Sequence, residues 1–144
     1  MSVPSVRIEP PGERDLDAIH AFLRESYWSP GVARDVVARA CANSLCAIAR
    51  DETGTLAGFA RVVSDRASFA WLCDVFVLPA HQGRGVARAL VRTLRAHPEL
   101  QGLRCWLLAT RDAHGVYAAL GFAPLAQPER WMEIPRQNTI HAST

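Results

Sequence analysis

A glycine-rich turn between an apolar strand and a helix is the segment of this chain best suited to chemistry. Residues 74–90 read DVFVLPAHQGRGVARAL, with Gly83 and Gly85 directly before the helical pattern. The N–H groups in the first turn of a helix lack intrahelical partners, and the helix dipole adds partial positive charge there. Glycines let a phosphate approach these groups closely, and Arg84 and Arg88 add positive charge. The segment therefore predicts a phosphate cradle.

Two other phosphate-binding motifs do not fit this turn. A P-loop requires the pattern G-x-x-x-x-G-K-[ST], and all 16 basic residues of this chain are arginine. A dinucleotide-binding fingerprint requires a third glycine at the position of Arg88. The structural alternative is a glycine turn that only starts a helix.

Asp74 is the second residue with chemical potential, because it is the only charged residue between Ala67 and Leu78. Burial in such an apolar strand disfavours the carboxylate form, which suits a general base for an ammonium substrate. Two alternatives stay open. Asp74 could bind the positive charge of a substrate, or it could cap a bulge in the strand.

Apolar periodicity predicts the elements that must position these residues. Predicted strands cover residues 6–8, 45–50, 56–63, 68–77 and 103–109, with closing strands at 122–125 and 131–134. The first predicted helix is capped by Asp15. Two more helices cover residues 32–41 and 85–97, and a fourth ends near Leu120. Strand 68–77 is apolar on both faces, which predicts a central strand. The order predicts an α/β fold with a mixed sheet in a single domain, residues 1–144.

Composition excludes several classes of protein. The chain has 144 residues, 49% hydrophobic and 21% charged, with a net charge of +2 and no basic run, which argues against a nucleic-acid partner. No apolar stretch approaches the roughly 18 residues of a membrane span, and no signal-peptide pattern begins the chain. A cytoplasmic protein without membrane contact is expected. The four cysteines lie in apolar runs without ligand spacing, which predicts buried free thiols and no metal.

Two motifs together resemble the GNAT superfamily of N-acetyltransferases. Residues 77–87, VLPAHQGRGVA, resemble its acetyl-CoA motif V-x-P-x-x-[QR]-G-x-G-x-[GA]. Residues 115–122, GVYAALGF, resemble its second signature, whose core is Y-x-x-x-G-F. Both occur in the family's order with a predicted strand between them. The resemblance implies a GNAT-like fold, a mixed β-sheet flanked by helices, with acetyl-CoA as cosubstrate.

The resemblance also implies roles for individual residues. Backbone groups of Val75 and Val77 would pair with the pantetheine arm and polarise the thioester carbonyl. Tyr117 would protonate the leaving thiolate. Thr110 stands where many family members carry an asparagine that contacts pantetheine. The CoA pyrophosphate would bind the backbone N–H groups of Gln82, Gly83, Arg84, Gly85, Val86, Ala87 and Arg88.

Candidates for acceptor recognition come from loops, which carry specificity in many folds. Tyr27 and Trp28 lie beside the break Ser29-Pro30-Gly31 and either line an acceptor pocket or anchor the core beneath a loop. Arg61 is expected in a surface salt bridge. The other tryptophans are expected in the core, and two loop histidines are expected in solvent: Trp71, Trp106, Trp131, His81 and His114.

These patterns lead to one functional hypothesis. The chain is expected to transfer an acetyl group from acetyl-CoA to the amine of a small-molecule acceptor, by direct attack in a ternary complex. A protein acetyltransferase acting on N-termini or lysines, and a CoA-binding sensor without turnover, are the alternatives. A homodimer is also expected, because C-terminal strands often mediate pairing in this family. Fold and family do not fix the acceptor's identity.

Overall fold

The computed structural model describes residues 2–136, which divide into two compact units at Asp112/Ala113. The first unit contains strands β1 (Ser5–Ile8), β2 (Leu45–Arg50), β3 (Leu56–Ser64), β4 (Phe69–Val77) and β5 (Cys105–Leu107), and helices α1 (Glu13–Leu23), α2 (Arg34–Ala42) and α3 (Val86–Arg95). The second unit contains the short helix α4 (His114–Ala118). The predicted single domain, residues 1–144, extends beyond the described residues and stays a prediction.

The five strands form one sheet in the order β1-β2-β3-β4-β5. The first four strands pair antiparallel, and β5 pairs parallel to β4, which confirms the predicted mixed sheet. Helix α3 packs against β1 to β4. Its buried residues recur at helical spacing: Val86, Leu90, Val91 and Leu94.

Helices α1 and α2 cover the opposite face of the sheet. A Cβ added to Gly58 would lie 3.1 Å from the Phe76 carbonyl oxygen and 3.3 Å from Leu90, so this glycine lets α3 approach β3 closely. The next residue, Phe59, points to the other face, because side chains alternate along a strand. There it joins a core cluster with Ile19 of α1 and Val37 of α2.

Asp15 ties α1 to the sheet, in a role that differs from the predicted one. The helix is capped by Gly12, and Asp15 is the third helical residue, whose Oδ2 accepts the Gly12 N–H at 2.9 Å. Arg50 of β2 donates from Nη1 and Nη2 to the two carboxylate oxygens, each at 2.8 Å. These hydrogen bonds from Arg50 lower the pKa of Asp15.

Two other expectations about the elements are wrong. Phe69 and Trp71 of β4 are exposed although both faces of this strand were expected to be covered. The core cluster on their face reaches Phe76 but does not extend to these two residues. Residues 122–125 and 131–134 form no strand, since Pro124 cannot donate to a ladder and a 3₁₀ turn at Pro128–Arg130 precedes the second segment. Trp131 is accordingly exposed and outside the core. In the described part of the chain, no helix combines the length and apolar character that a bilayer crossing requires.

The Arg50–Asp15 pair gives a stability prediction. Asp15→Asn should lower the free energy of unfolding at pH 7 by about 1–3 kcal/mol, because it weakens charge-assisted hydrogen bonds at a largely buried site. Because the pKa of Asp15 is lower in the folded state, the stabilisation is present above the unfolded-state pKa and is lost as the pH falls. The difference in unfolding free energy between the variant and wild type should therefore shrink below about pH 4. Urea denaturation at both pH values measures it.

Asp17→Asn is the matched control on the same helix. Asp17 pairs with Arg34 at 2.8 Å, but its side chain is 69% exposed, so little loss is expected. Equal losses in the two variants would contradict the anchoring role of Asp15.

Candidate active site

The carboxyl-terminal half of β4 has an open edge. Strand β5 pairs with β4 only from Phe69↔Cys105 to Trp71↔Leu107, so in the described residues β4 continues to Val77 without β5 beside it. The Leu78 N–H donates to the Ala57 carbonyl at 2.8 Å on the β3 side. Because neighbouring residues alternate in an antiparallel ladder, the backbone groups of Val77 face the open edge. An extended ligand could pair there as a strand does.

A β-bulge interrupts β4 beside this edge. Phe59 pairs with Phe76 and Arg61 with Cys73, so Asp74 and Val75 together oppose the single residue Ala60. Asp74 has a φ of 55°, a left-handed conformation that Asp tolerates better than most residues. Asp74 therefore lies within a bulge, and its part in the reaction stays a prediction. Because Val75 lies within the bulge, the ladder does not fix where its backbone groups point.

The Asp74 carboxylate is held by two donors. Arg61 Nε donates to Oδ2 at 2.9 Å, and Trp28 Nε1 donates to Oδ1 at 2.8 Å. The Arg61 and Asp74 side chains are only 16% and 10% exposed, so the expectation of a surface salt bridge for Arg61 is wrong. The sheet register brings the two residues together from adjacent strands. The buried carboxylate is therefore paired with a buried cation.

The loop between α1 and α2 reaches this carboxylate through its aromatic residues. Tyr27 and Trp28 are 45% and 39% exposed, so neither is a core anchor. Their rings meet edge to face at 5.1 Å. The Tyr27 hydroxyl accepts the Arg111 N–H at 3.0 Å, and the Arg111 guanidinium lies 3.9 Å from the Tyr27 ring centre. The loop is thus attached to the β4 bulge and to the segment after β5.

The glycine turn after β4 has the backbone that a phosphate cradle needs. Gly83 and Gly85 both have a φ of 77°, and an added Cβ at either would meet nothing within 4 Å. Gly85 is the N-cap of α3, and Ala89 N–H to the Gly85 carbonyl, at 3.1 Å, is the first helical bond. The N–H groups of Val86, Ala87 and Arg88 therefore precede the helical ladder. The open space and these N–H groups outside the helical hydrogen-bond pattern therefore lie at the same end of α3.

The side chains around this turn point in different directions. The Gln82 side-chain amide donates to the Val77 carbonyl at 2.9 Å, which fixes the turn against β4. Arg84 Nη2 donates to the Ser2 carbonyl at 2.9 Å, so that nitrogen points to the amino-terminal segment. Arg88 is exposed on the first turn of α3. His81 is half-buried, contrary to the expectation that it lies in solvent.

Three cysteines lie near the Arg61–Asp74 pair: Cys41, Cys46 and Cys73. The register places Cys46 and Cys73 on either side of Arg61, on the same sheet face. Burial raises the pKa of the Cys73 thiol to about 12. All four cysteines are free, as predicted, but Cys105 is exposed rather than buried. The described residues contain no group of three or more His, Cys, Asp or Glu side chains that could hold a metal ion.

Tyr117 lies in the second unit, on α4. It is half-buried, and its ring meets Phe122 edge to face at 6.0 Å. The Phe122 N–H donates to the Tyr117 carbonyl at 3.1 Å. A core role and a proton-donor role both accommodate this ring contact, so the catalytic role stays a prediction. Thr110, in the first unit, is half-buried just beyond β5.

Comparison with known proteins identifies the family. The sequence profile described as "Acetyltransferase (GNAT) family" matches residues 13–122. The chain belongs to the GNAT acetyltransferase family. GNAT acetyltransferases use acetyl-CoA, and the resemblance of the two motifs to this family is confirmed.

Individual GNAT relatives agree with this assignment. A mycothiol acetyltransferase of Arthrobacter sp. (strain FB24) is 33% identical over 129 residues, covering 79% of this chain and 40% of that protein. This chain therefore spans less than half the length of that relative. A crystal structure of a GNAT family protein from Xanthomonas campestris pv. campestris is 43% identical with a TM-score of 0.86, covering 94% of this chain and 96% of that one.

A more distant neighbour supports the fold alone. Glucosamine-6-phosphate N-acetyltransferase of Arabidopsis thaliana is 14% identical with a TM-score of 0.66, covering 94% of this chain and 99% of that one. The predicted GNAT-like α/β fold is confirmed.

Sequence reasoning missed the importance of Arg61. A signal was available, because Arg61 is the only charged residue in β3, the criterion that singled out Asp74 in β4. Two charged residues of opposite sign in adjacent apolar strands favour an ion pair.

Proposed function

We propose that this GNAT acetyltransferase transfers an acetyl group from acetyl-CoA to the amine of a small-molecule acceptor, by direct attack in a ternary complex. The observation that carries the proposal is the open β4 edge leading into the glycine turn at the start of α3. A strand edge can hold an extended arm, and a helix N-terminus can hold phosphates.

The residues of this segment fit acetyl-CoA. The N–H groups from Gln82 to Arg88 would hold the pyrophosphate, since the two left-handed glycines leave open space before them. The Val77 N–H, and backbone groups of Val75 in the bulge, would hold the pantetheine arm, while the Val77 carbonyl already accepts the Gln82 amide. The Thr110 hydroxyl would replace the asparagine contact of other family members. Bound acetyl-CoA supplies an activated thioester.

Asp74 would receive the acceptor's ammonium group, and the nitrogen would attack the thioester carbonyl after losing one proton to solvent, since only the neutral amine has a free electron pair. A carboxylate has about four acceptor positions, and Arg61 and Trp28 each use one, so capacity remains for a further donor. The exposed rings of Tyr27 and Trp28 would contact the apolar part of a small amine, and aromatic faces also attract cations.

Tyr117 would donate a proton to the departing CoA thiolate. A phenol with an ordinary pKa near 10 is protonated at neutral pH, so it can donate to the negative sulfur as charge develops.

A homodimer also stays a prediction, although the strands at 122–125 and 131–134 on which it depended are not formed.

A charged substitution in the turn tests cosubstrate binding. Gly85→Glu should weaken acetyl-CoA binding at least about 10-fold, because it places negative charge against the pyrophosphate. Calorimetric titration with acetyl-CoA measures this. Gly102→Glu is the control, since Gly102 has a φ of 70° and open space like Gly85 but lies in the loop before β5. Equal weakening in both variants, or none in a folded Gly85→Glu protein, would contradict the cradle.

An acceptor panel tests the transfer reaction. Acceptor-dependent release of the CoA thiol should occur with small primary amines, amino acids or aminoglycosides rather than with lysine peptides or free peptide N-termini. Activity restricted to peptides would support the protein-acetylating alternative, and binding without release would support the sensor alternative.

Tyr117→Phe, assayed with the best amine of the panel, tests the proton donor. Because the interaction grows as negative charge develops on sulfur, kcat should fall about 10- to 1,000-fold with little change in KM. Acetyl-CoA affinity should be retained, since the variant loses one oxygen. Wild-type values of both constants would assign Tyr117 to packing against Phe122.

A further inference from the structure

Arg61 is held from behind as well as from the side of Asp74. Its Nη1 donates to Ser44 Oγ at 3.0 Å, and Ser44 Oγ in turn donates to the Ala40 carbonyl at 2.7 Å, at the end of α2. Its Nε donates to Asp74 Oδ2 at 2.9 Å. A planar guanidinium bonded in two directions has little freedom to rotate, so α2 fixes the direction from which Arg61 approaches Asp74.

The charged groups around Asp74 come from several elements. Cys73 precedes it on β4, and Cys46 of β2 flanks Arg61, with its Sγ 3.7 Å from the carbonyl of Cys41 on α2. Burial raises the pKa of Cys73, and the hydrogen bond with Cys41 together with burial raises that of Cys46. Cys46 and Cys73 therefore add no negative charge at neutral pH, whereas the hydrogen bond from Cys46 lowers the pKa of the Cys41 thiol, and a Cys41 thiolate would repel the Asp74 carboxylate. Arg61 is the charged side chain that the described residues place against the Asp74 carboxylate.

Trp28 reports on the same carboxylate from the opposite side. Its indole N–H donates to Oδ1 at 2.8 Å, and its ring centre lies 6.3 Å from that of Phe22 on α1. An indole N–H can only donate, so this contact is strongest when the carboxyl group is ionised. Ionisation of Asp74 and the position of the loop between α1 and α2, which carries Trp28, are thereby coupled.

We propose that Arg61 is a positioning residue for acetyl transfer: it keeps Asp74 ionised and oriented at the β4 bulge, where the carboxylate receives the acceptor's ammonium and anchors Trp28. The proposal rests on the proposed function, in which Asp74 binds the acceptor. Without Arg61, a buried carboxylate with no cationic partner protonates at higher pH, and a nearby Cys41 thiolate would add to this effect. The acceptor then loses its anionic partner, and Trp28 loses a charge-assisted hydrogen bond.

A pH titration of the Trp28 indole resonance tests the ionisation step without any substrate. The ¹⁵N-labelled full chain carries four tryptophans, and Trp28→Phe assigns the relevant indole peak. Arg61→Met should move the midpoint of its pH-dependent shift upward by about one pH unit or more relative to wild type. An unchanged midpoint in a folded Arg61→Met protein would overturn the proposal.

Arg50→Met is the matched control. Arg50 lies on the same sheet face and pairs with the largely buried Asp15, but it has no contact with Asp74 among the described residues. This variant should lose stability and leave the Trp28 titration unchanged. A shift equal to that of Arg61→Met would mean that the resonance reports general destabilisation, and the proposal would fail.

A double-variant comparison tests positioning and does not depend on the folding of Arg61→Met. Asp74→Asn should raise the acceptor KM about 10-fold or more, measured with the best amine of the panel. Adding Arg61→Met to Asp74→Asn removes an unpaired buried charge and should change that KM by less than about twofold, because Arg61 acts through Asp74. A further large increase would overturn the proposal.

The two measurements distinguish this inference from the proposed function. If amines are acetylated and the Trp28 midpoint does not move, only the role of Arg61 fails. If the midpoint moves but no amine in the panel is acetylated, the assignment of the acceptor fails, and Arg61 still controls the ionisation of Asp74.

Discussion

The ion pair between Arg61 and Asp74 forms where β4 ceases to follow β3 residue for residue. A charge buried alone costs several kcal/mol of desolvation, so each of these residues requires the other. Their pairing lets Asp74 occupy the bulge as an anion within an otherwise apolar sheet. Ser44 binds Arg61, and Trp28 binds Asp74. The Arg61–Asp74 ion pair therefore connects α2, the sheet and the loop between α1 and α2.

The same bulge separates two kinds of recognition. A bulge bends its strand and increases the local twist, and pairing between β4 and β5 ends just before it. The open edge and the glycine turn offer backbone groups, which suit the phosphates and amides of a cofactor shared by many enzymes. In the proposed function, acceptor recognition would instead use the side chains of Asp74, Tyr27 and Trp28. In the proposed function, backbone geometry binds the common donor and side chains select the particular acceptor.

Local patterns predicted much of this arrangement. Strand β2 has the predicted bounds, and α3 follows the glycine turn as predicted. The sequence offered a bulge at Asp74 only as one alternative, because its position depends on the register between two strands, which is a tertiary property. The Arg61–Asp74 contact depends on the same register. The exposed Trp71 shows the converse limit, since an apolar pattern does not say which helix covers a strand.

Amide hydrogen exchange with and without acetyl-CoA tests the central claim most directly, because it observes the backbone groups assigned to the cosubstrate. The account predicts that saturating acetyl-CoA slows exchange in residues 75–77 and 82–88, while the buried strand β2 (Leu45–Arg50) exchanges as before. Binding that leaves both segments unchanged, or that protects only residues elsewhere in the chain, would contradict it.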